Sequence, residues 1–172
     1  LANAKELFES YLNKVFTEKG EGWEERRVEE IAEVKSGKRV PKGYKFEDAT
    51  TNFPYIRISD FTNEGTVRTN KLKYLSEKVF EGISRYIITD ADVYITIVGA
   101  TVGKAGIIPP CLNGANLTEN ACRLVLNAEI EKRFVYFFTQ TNSFKEQVGI
   151  NTRVAAQPKL ALRRLKSILI PF

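Results

Sequence analysis

Along the first 19 residues, apolar positions recur at alternating spacings of three and four, at Leu1, Ala4, Phe8, Tyr11 and Val15. That spacing is the seam of a coiled coil and predicts a helix. Leu7, Leu12 and Phe16 widen the apolar stripe beyond what a solvent-facing helix needs, so this helix must pack on something. Lys19-Gly20-Glu21-Gly22 ends it, glycine being a good helix stop, and Trp23 anchors the junction to the next unit.

From Trp23 onward the pattern changes to short β-rich runs separated by turns. Candidate strands are Pro54 to Ser59, Tyr86 to Thr89, Val93 to Val98, Lys104 to Ile108 and Ala121 to Leu126. Asn63-Glu64-Gly65, Asp90-Ala91-Asp92 and Pro109-Pro110 supply the turns between them. Residues 129 to 148 predict a second helix, with Ile130, Phe134, Val135, Phe138 and Phe144 mostly at helical spacing and Gly149 as its stop. A polar loop, "INTRVAAQPKL", precedes an apolar closing strand, "SILIPF". The expected class is α+β: a mixed, β-rich domain preceded by a coiled-coil-type helix.

Length and composition narrow the options. The chain has 172 residues, one domain's worth, with 43% hydrophobic and 27% charged residues, ordinary for a globular protein. No apolar run approaches the roughly 18 residues of a membrane span. The charged, periodic start does not read as a signal peptide, so a cytoplasmic location is expected. The chain starts at Leu1 and contains no Met, so it is expected to be part of something longer. Histidine is absent, which removes the commonest general base and metal ligand. Cys111 and Cys122 are too few for a thiolate metal site and read as buried reduced thiols. No metal and no cofactor are expected in this chain.

Charge is unevenly placed. Residues 1 to 30 carry five bases and eight acids. Lys35, Lys38, Arg39, Lys42 and Lys45 follow with no acid among them, and so do Arg153, Lys159, Arg163, Arg164 and Lys166. Clustered positive charge suits a polyanion such as nucleic acid; a solvated basic face is the alternative.

Three stretches look enzymatic at first sight. "YITIVGATVGKAGII" suggests a phosphate-binding loop, but Gly99 and Gly103 are one residue too close and Ala105 stands where a hydroxyl is needed. The prolines and β-branched residues that follow oppose the helix whose N-terminus would hold phosphate. A tight hairpin fits better, with Lys104 near its turn facing either a nucleic-acid backbone or water. "NFPY" resembles the tetrapeptide with which adenine amino-methyltransferases hold a flipped base, yet Phe53 replaces a proline and no Gly-rich cofactor loop precedes it. Glu33-Val34-Lys35 matches half of a nuclease signature without the converging carboxylates a metal needs.

The order of segments resembles the target-recognition domain of a type I restriction-modification specificity subunit. "ANAKELFESYLNKVFTEKG" resembles the end of that family's helical spacer, and "WEERRVEEIAEVKSGKRVPKGY" the opening that precedes a basic loop. "FPYIRISDF" and "DADVYITIVGATVGKAGII" are similar to its acid-ended strand and its Gly-x-x-x-Gly-Lys hairpin. "FVYFFTQTNSFKEQV" and "PKLALRRLKSILIPF" resemble its later helix and closing strand. The likeness covers nearly the whole chain; single motifs are loose and their order gives the specificity.

The resemblance implies residues 1–20 as the end of the spacer helix and 21–172 as the recognition domain, the second, C-terminal one of its subunit. It implies a non-catalytic reader of one half of a split double-stranded DNA site. A methyltransferase subunit would supply S-adenosylmethionine chemistry, and a motor-nuclease subunit would supply ATP and magnesium chemistry. The apolar face of the first helix would pack on a second spacer helix of its own subunit, or on a homodimer partner. A nuclease or adenine methyltransferase piece, or a helix-mediated interaction module, are the rival readings.

Candidates for phosphate contact are Lys38, Arg39, Lys42, Lys104 and Lys159. Candidates for base reading are Arg57, Arg68, Asn70, Asn113, Asn116, Asn120, Arg153 and Gln157, whose donors and acceptors suit base edges. Each has a plain alternative: Arg57 pairing with Asp60 or Glu64, Asn113-Gly114 as a turn, Asn116 and Asn120 as partners for loop backbone.

Overall fold

The computed structural model describes residues 2–153 and 156–172. Helix α1 spans Ala2–Glu18. Strand β1 (Glu25–Arg27), the single-turn α2 (Val28–Ile31) and β2 (Ala32–Ser36) follow. After a long loop come β3 (Pro54–Ile56), β4 (Lys73–Tyr74), α3 (Glu77–Ile83) and β5 (Ile87–Ile88). Then β6 (Val93–Thr96) and β7 (Ala105–Gly106) form a hairpin, followed by β8 (Ala115–Leu117) and β9 (Ala121–Leu126). The chain closes with α4 (Lys132–Gln140), α5 (Asn142–Asn151), β10 (Thr152–Arg153), β11 (Lys159–Leu160), α6 (Leu162–Lys166) and β12 (Leu169–Pro171). The expected mixed α+β class is what the chain adopts.

Two four-stranded sheets carry the body. One has the order β2-β9-β6-β7 and is antiparallel throughout; the other has the order β4-β3-β8-β5, with β3 and β8 parallel. Strand β6 shows why they stack. Its side chains alternate, so Val93 and Ile95 enter a core shared with α1, α4 and α5, while Tyr94 enters a second core with Ile56, Ile88 and Leu117. Covered on both faces, β6 is buried along its whole length. Tyr94 stacks on Phe61 at 3.8 Å between centroids and donates its hydroxyl to the Thr66 carbonyl at 2.9 Å. Burial pushes that phenol's pKa up, and burial likewise raises the Cys122 thiol to about 12. Cys122 is therefore an inert core thiol, whereas Cys111, also expected to be buried, is exposed.

Helix α1 divides its apolar residues between two faces. Leu12 and Phe16 are buried against the body, where Phe16 meets Phe134 at 5.2 Å and Phe138 at 5.4 Å between ring centroids. Each such burial contributes roughly 2 kcal/mol. The Asn13 side chain also accepts from the Asn142 backbone N–H at 2.7 Å, tying α1 to the start of α5. Of the predicted seam, Ala4, Phe8, Tyr11 and Val15 face outward, joined by Leu7, and Leu1 lies outside the described residues. Trp23 does anchor the junction, packing on Phe16 and Phe134.

Several predicted boundaries are corrected. The single helix expected over 129–148 is two, because Thr141 breaks it: its backbone is extended, and its hydroxyl accepts from the Phe144 N–H as the cap of α5. Gly149 lies inside α5, which runs on to Asn151. The strand expected from Pro54 to Ser59 stops at Ile56, and Ile58–Asp60 turn as a 3-10 helix. The hairpin strands are shorter than predicted at both ends of the turn.

Candidate nucleic-acid interface

Three segments distant in sequence meet beyond one end of the first sheet. As β2 ends, the Gly37 N–H bonds to the Ala121 carbonyl at 3.0 Å and the Lys38 N–H to that of Leu117 at 2.8 Å. A side chain at Gly37 would collide with the Leu117 and Thr118 carbonyls, so only glycine lets this loop lie so close. The turn at 118–120 is held from the other side, where the Ile97 N–H bonds to the Asn120 carbonyl at 2.9 Å. The third segment docks on the same hairpin: the Leu160 N–H reaches the Ile97 carbonyl at 2.9 Å, and the Gly99 N–H reaches that of Pro158 at 3.0 Å.

These contacts create an open groove of about 470 Å³ whose walls include Arg39, Glu119, Asn120, Gln157 and Lys159. Lys159 also borders a second groove of about 490 Å³, lined by Arg153, Arg163 and Arg164. Five cationic side chains thus border two adjoining concavities, and among the described residues Glu119 is the only acid on either wall. Arg39 donates its Nε–H to Glu119 Oε1 at 2.6 Å, and the Thr118 hydroxyl donates to Oε2 at 3.0 Å. Partial burial pushes the Glu119 carboxyl up, but Arg39, backbone and Thr118 donors outweigh it and hold the group below the usual carboxylate range. The hydrogen bond to Glu119, and then its charge, raise the Arg39 guanidinium in turn.

The predicted contact residues separate into groups. Arg39, Asn120, Gln157, Lys159 and Arg153 line these grooves. Lys38 is exposed beside them, its ammonium 5.6 Å from the centre of the Tyr86 ring, and Lys42 is exposed in the loop that follows. Arg68 is exposed, and Asn70 borders a different concavity with Glu47 and Asp48 on its wall. Asn113 accepts from the Asp90 N–H at 3.2 Å, holding a turn.

Three of the candidates are held by local bonding. Asn116 is fully buried and donates to the Ile83 carbonyl at 2.9 Å, so no base edge can reach it. Arg57 is clamped on Asp60 through Nε and Nη2, at 3.0 and 2.7 Å, with Nη2 also on the Lys71 carbonyl. Lys104 gives its ammonium to the Phe61 carbonyl and to Asn63 Oδ1, at 3.1 and 3.0 Å. It pins the hairpin to the loop at 61–63 rather than standing free for phosphate.

The enzyme-like stretches also resolve. Gly99 and Gly103 take φ of 104° and 88° in the turn between β6 and β7, and no helix follows to gather phosphate. In "NFPY", Phe53 stacks on Phe80 at 4.5 Å, while the Tyr55 ring is buried and its hydroxyl donates to the Lys38 carbonyl. That ring is not available to stack on a flipped base. Glu33 pairs with Lys35 at 2.9 Å, and the described residues contain no group of three or more acids, Cys or His placed to hold a metal.

Sequence reasoning missed Glu119, an acid in a short "TEN" turn between two strands, because its partner Arg39 lies 80 residues away. Arg163 and Arg164 were legible as charge, but not as walls of the same groove as Arg153.

Comparison with solved structures reports the same fold. The HsdS subunit from Thermoanaerobacter tengcongensis superposes with a TM-score of 0.72 at 15% identity, over 99% of this chain and 39% of that one. The S subunit of a type I restriction-modification system from M. genitalium gives 0.55 at 17% identity, over 88% and 34%. A chain from a structure on complex assembly and conformational transition of the type I R-M system gives 0.64 at 19% identity, over 89% and 38%. The chain therefore spans between 34% and 39% of the length of these relatives. No curated protein sequence matches it. The family model for the type I restriction modification DNA specificity domain matches residues 20–172, nearly all of the body built here from two sheets and their basic loops, and the chain belongs to that family.

Proposed function

We propose that residues 21–172 read one half of a bipartite double-stranded DNA target for a type I restriction-modification complex, and that residues 1–20 end a spacer helix. The observation that carries this reading is the pair of adjoining grooves bordered by Arg39, Lys159, Arg153, Arg163 and Arg164. Cations there neutralise phosphates and give affinity, while amide side chains such as Asn120 and Gln157 present the donors and acceptors that read base edges. The domain performs no bond-making itself. S-adenosylmethionine, ATP and magnesium belong to methyltransferase and motor-nuclease subunits of the complex, in the cytoplasm. The described residues form no helix long and apolar enough to cross a membrane.

The outward face of α1, with Leu7, Phe8, Tyr11 and Val15 exposed, supports a helical partner there, from the same subunit or a second copy. The test is methylation mapping of the host genome with the subunit present and deleted. Loss of one bipartite motif on deletion is the expected result; an unchanged methylation pattern would refute the reading.

A further inference from the structure

The groove's one acid raises a question of cost. A carboxylate among phosphate-binding cations repels the DNA backbone and weakens binding, so a surface built only for affinity would not hold one. Glu119 is nonetheless fixed by two donors, Arg39 Nε at 2.6 Å and the Thr118 hydroxyl at 3.0 Å. It in turn fixes Arg39, which is otherwise mostly exposed, with 78% of its side chain accessible. Among the described residues only Nε finds a hydrogen-bond partner, which leaves both terminal Nη groups to a ligand in the groove that Arg39 lines.

That arrangement has a specific chemical consequence. With Glu119 beside it, the guanidinium stays charged and keeps its planar fork of donors, but the pair as a whole is close to neutral. A phosphate responds to charge and gains little from such a pair. A guanine edge is neutral and responds to geometry, offering O6 and N7 as two acceptors side by side. The neighbours fit this division: Asn120 and Gln157 are uncharged, whereas Lys159 carries charge with no ion-pair partner among the described residues. Gly37, pressed against the Leu117 and Thr118 carbonyls, keeps the loop bearing Arg39 in register with the turn bearing Glu119.

We propose that Arg39, positioned by Glu119, reads a guanine in the major groove, so that the half-site contains a G·C pair at that point. This rests on the DNA-reading function above and reassigns Arg39 from backbone contact to base contact. Glu119 is the positioning residue; it touches no DNA.

The experiment selects duplexes from a random-sequence pool with the full specificity subunit in its methylating complex. It compares the wild type with Arg39→Ala and Glu119→Gln and repeats the binding across a salt series. The wild type is expected to recover a half-site with one G·C pair that Arg39→Ala relaxes roughly ten- to a hundredfold. Because Arg39→Ala also bares the Glu119 carboxylate, the other positions and the salt slope are read in the Arg39→Ala/Glu119→Gln double variant, where both should stay as they were. Glu119→Gln unmasks the cation, so its salt slope should steepen by about one while discrimination at the same pair falls. Should the double variant weaken all sequences alike and lower the slope by about 0.9, Arg39 is a phosphate contact and the proposal is overturned. An unchanged motif in Arg39→Ala overturns it too, and an unchanged slope and motif in Glu119→Gln overturn the positioning role. In each of these cases the DNA-reading function stands; it fails only if the wild type recovers no motif.

Discussion

Two arginine–carboxylate pairs in this molecule look alike on paper and work differently. Arg57 and Asp60 are three residues apart, and Asp60 is almost wholly buried, accepting from the Arg57 backbone N–H as well as from its side chain. A second Nη2 donor goes to the Lys71 carbonyl, so the pair closes a turn with three of the five side-chain N–H donors of Arg57 spent. Arg39 and Glu119 are 80 residues apart on two loops, and the guanidinium stands in solvent with one donor engaged. Charge and hydrogen-bond length do not separate the two pairs. What separates them is how many donors are spent and whether the carboxylate is sealed from water.

The contrast can be broken experimentally. Arg57→Ala leaves Asp60 buried without its partner and should lower the unfolding free energy by about 3 kcal/mol in a denaturant titration. Arg39→Ala should shift the denaturation midpoint far less, because its pair is largely exposed to solvent. Asn116→Ala removes an interior hydrogen bond and should cost about 1.5 kcal/mol by the same measurement, with the selected DNA motif unchanged. Lys159→Ala should weaken binding to all sequences alike and reduce the slope of log affinity against log salt by about 0.9.

The smallest effect concerns pH. The folded-state pKa of Glu119 lies below its ordinary value, so its contribution to stability is present above the ordinary carboxylate range and is lost as pH falls through the folded value. An NMR titration should place its midpoint below the ordinary range. In Arg39→Ala that midpoint should move up, since burial then meets less opposition.

Local signals were legible where a short window sufficed. The helix ending before Lys19-Gly20, the turn at Gly99 to Gly103 and the strand from Ala121 to Leu126 each rest on residues near one another in sequence. The break at Thr141 was also written locally, in a Thr-Asn-Ser run suited to capping, but the aromatic periodicity on both sides masked it. The candidate site was only partly legible. Basic loops could be counted from sequence, yet whether a side chain is spent depends on distant partners. Lys104 meets Phe61 and Asn63, and Asn116 meets Ile83, contacts that no local pattern announces.

The antiparallel ribbon of β1 and β12 pairs Glu25 with Pro171 and Arg27 with Leu169, so the body is entered and left at neighbouring points. Tension drawn outward through those two points acts across the ribbon and parts its rungs in succession, not together. The seam that fastens this body is therefore also the place where a mechanical load would begin to open it.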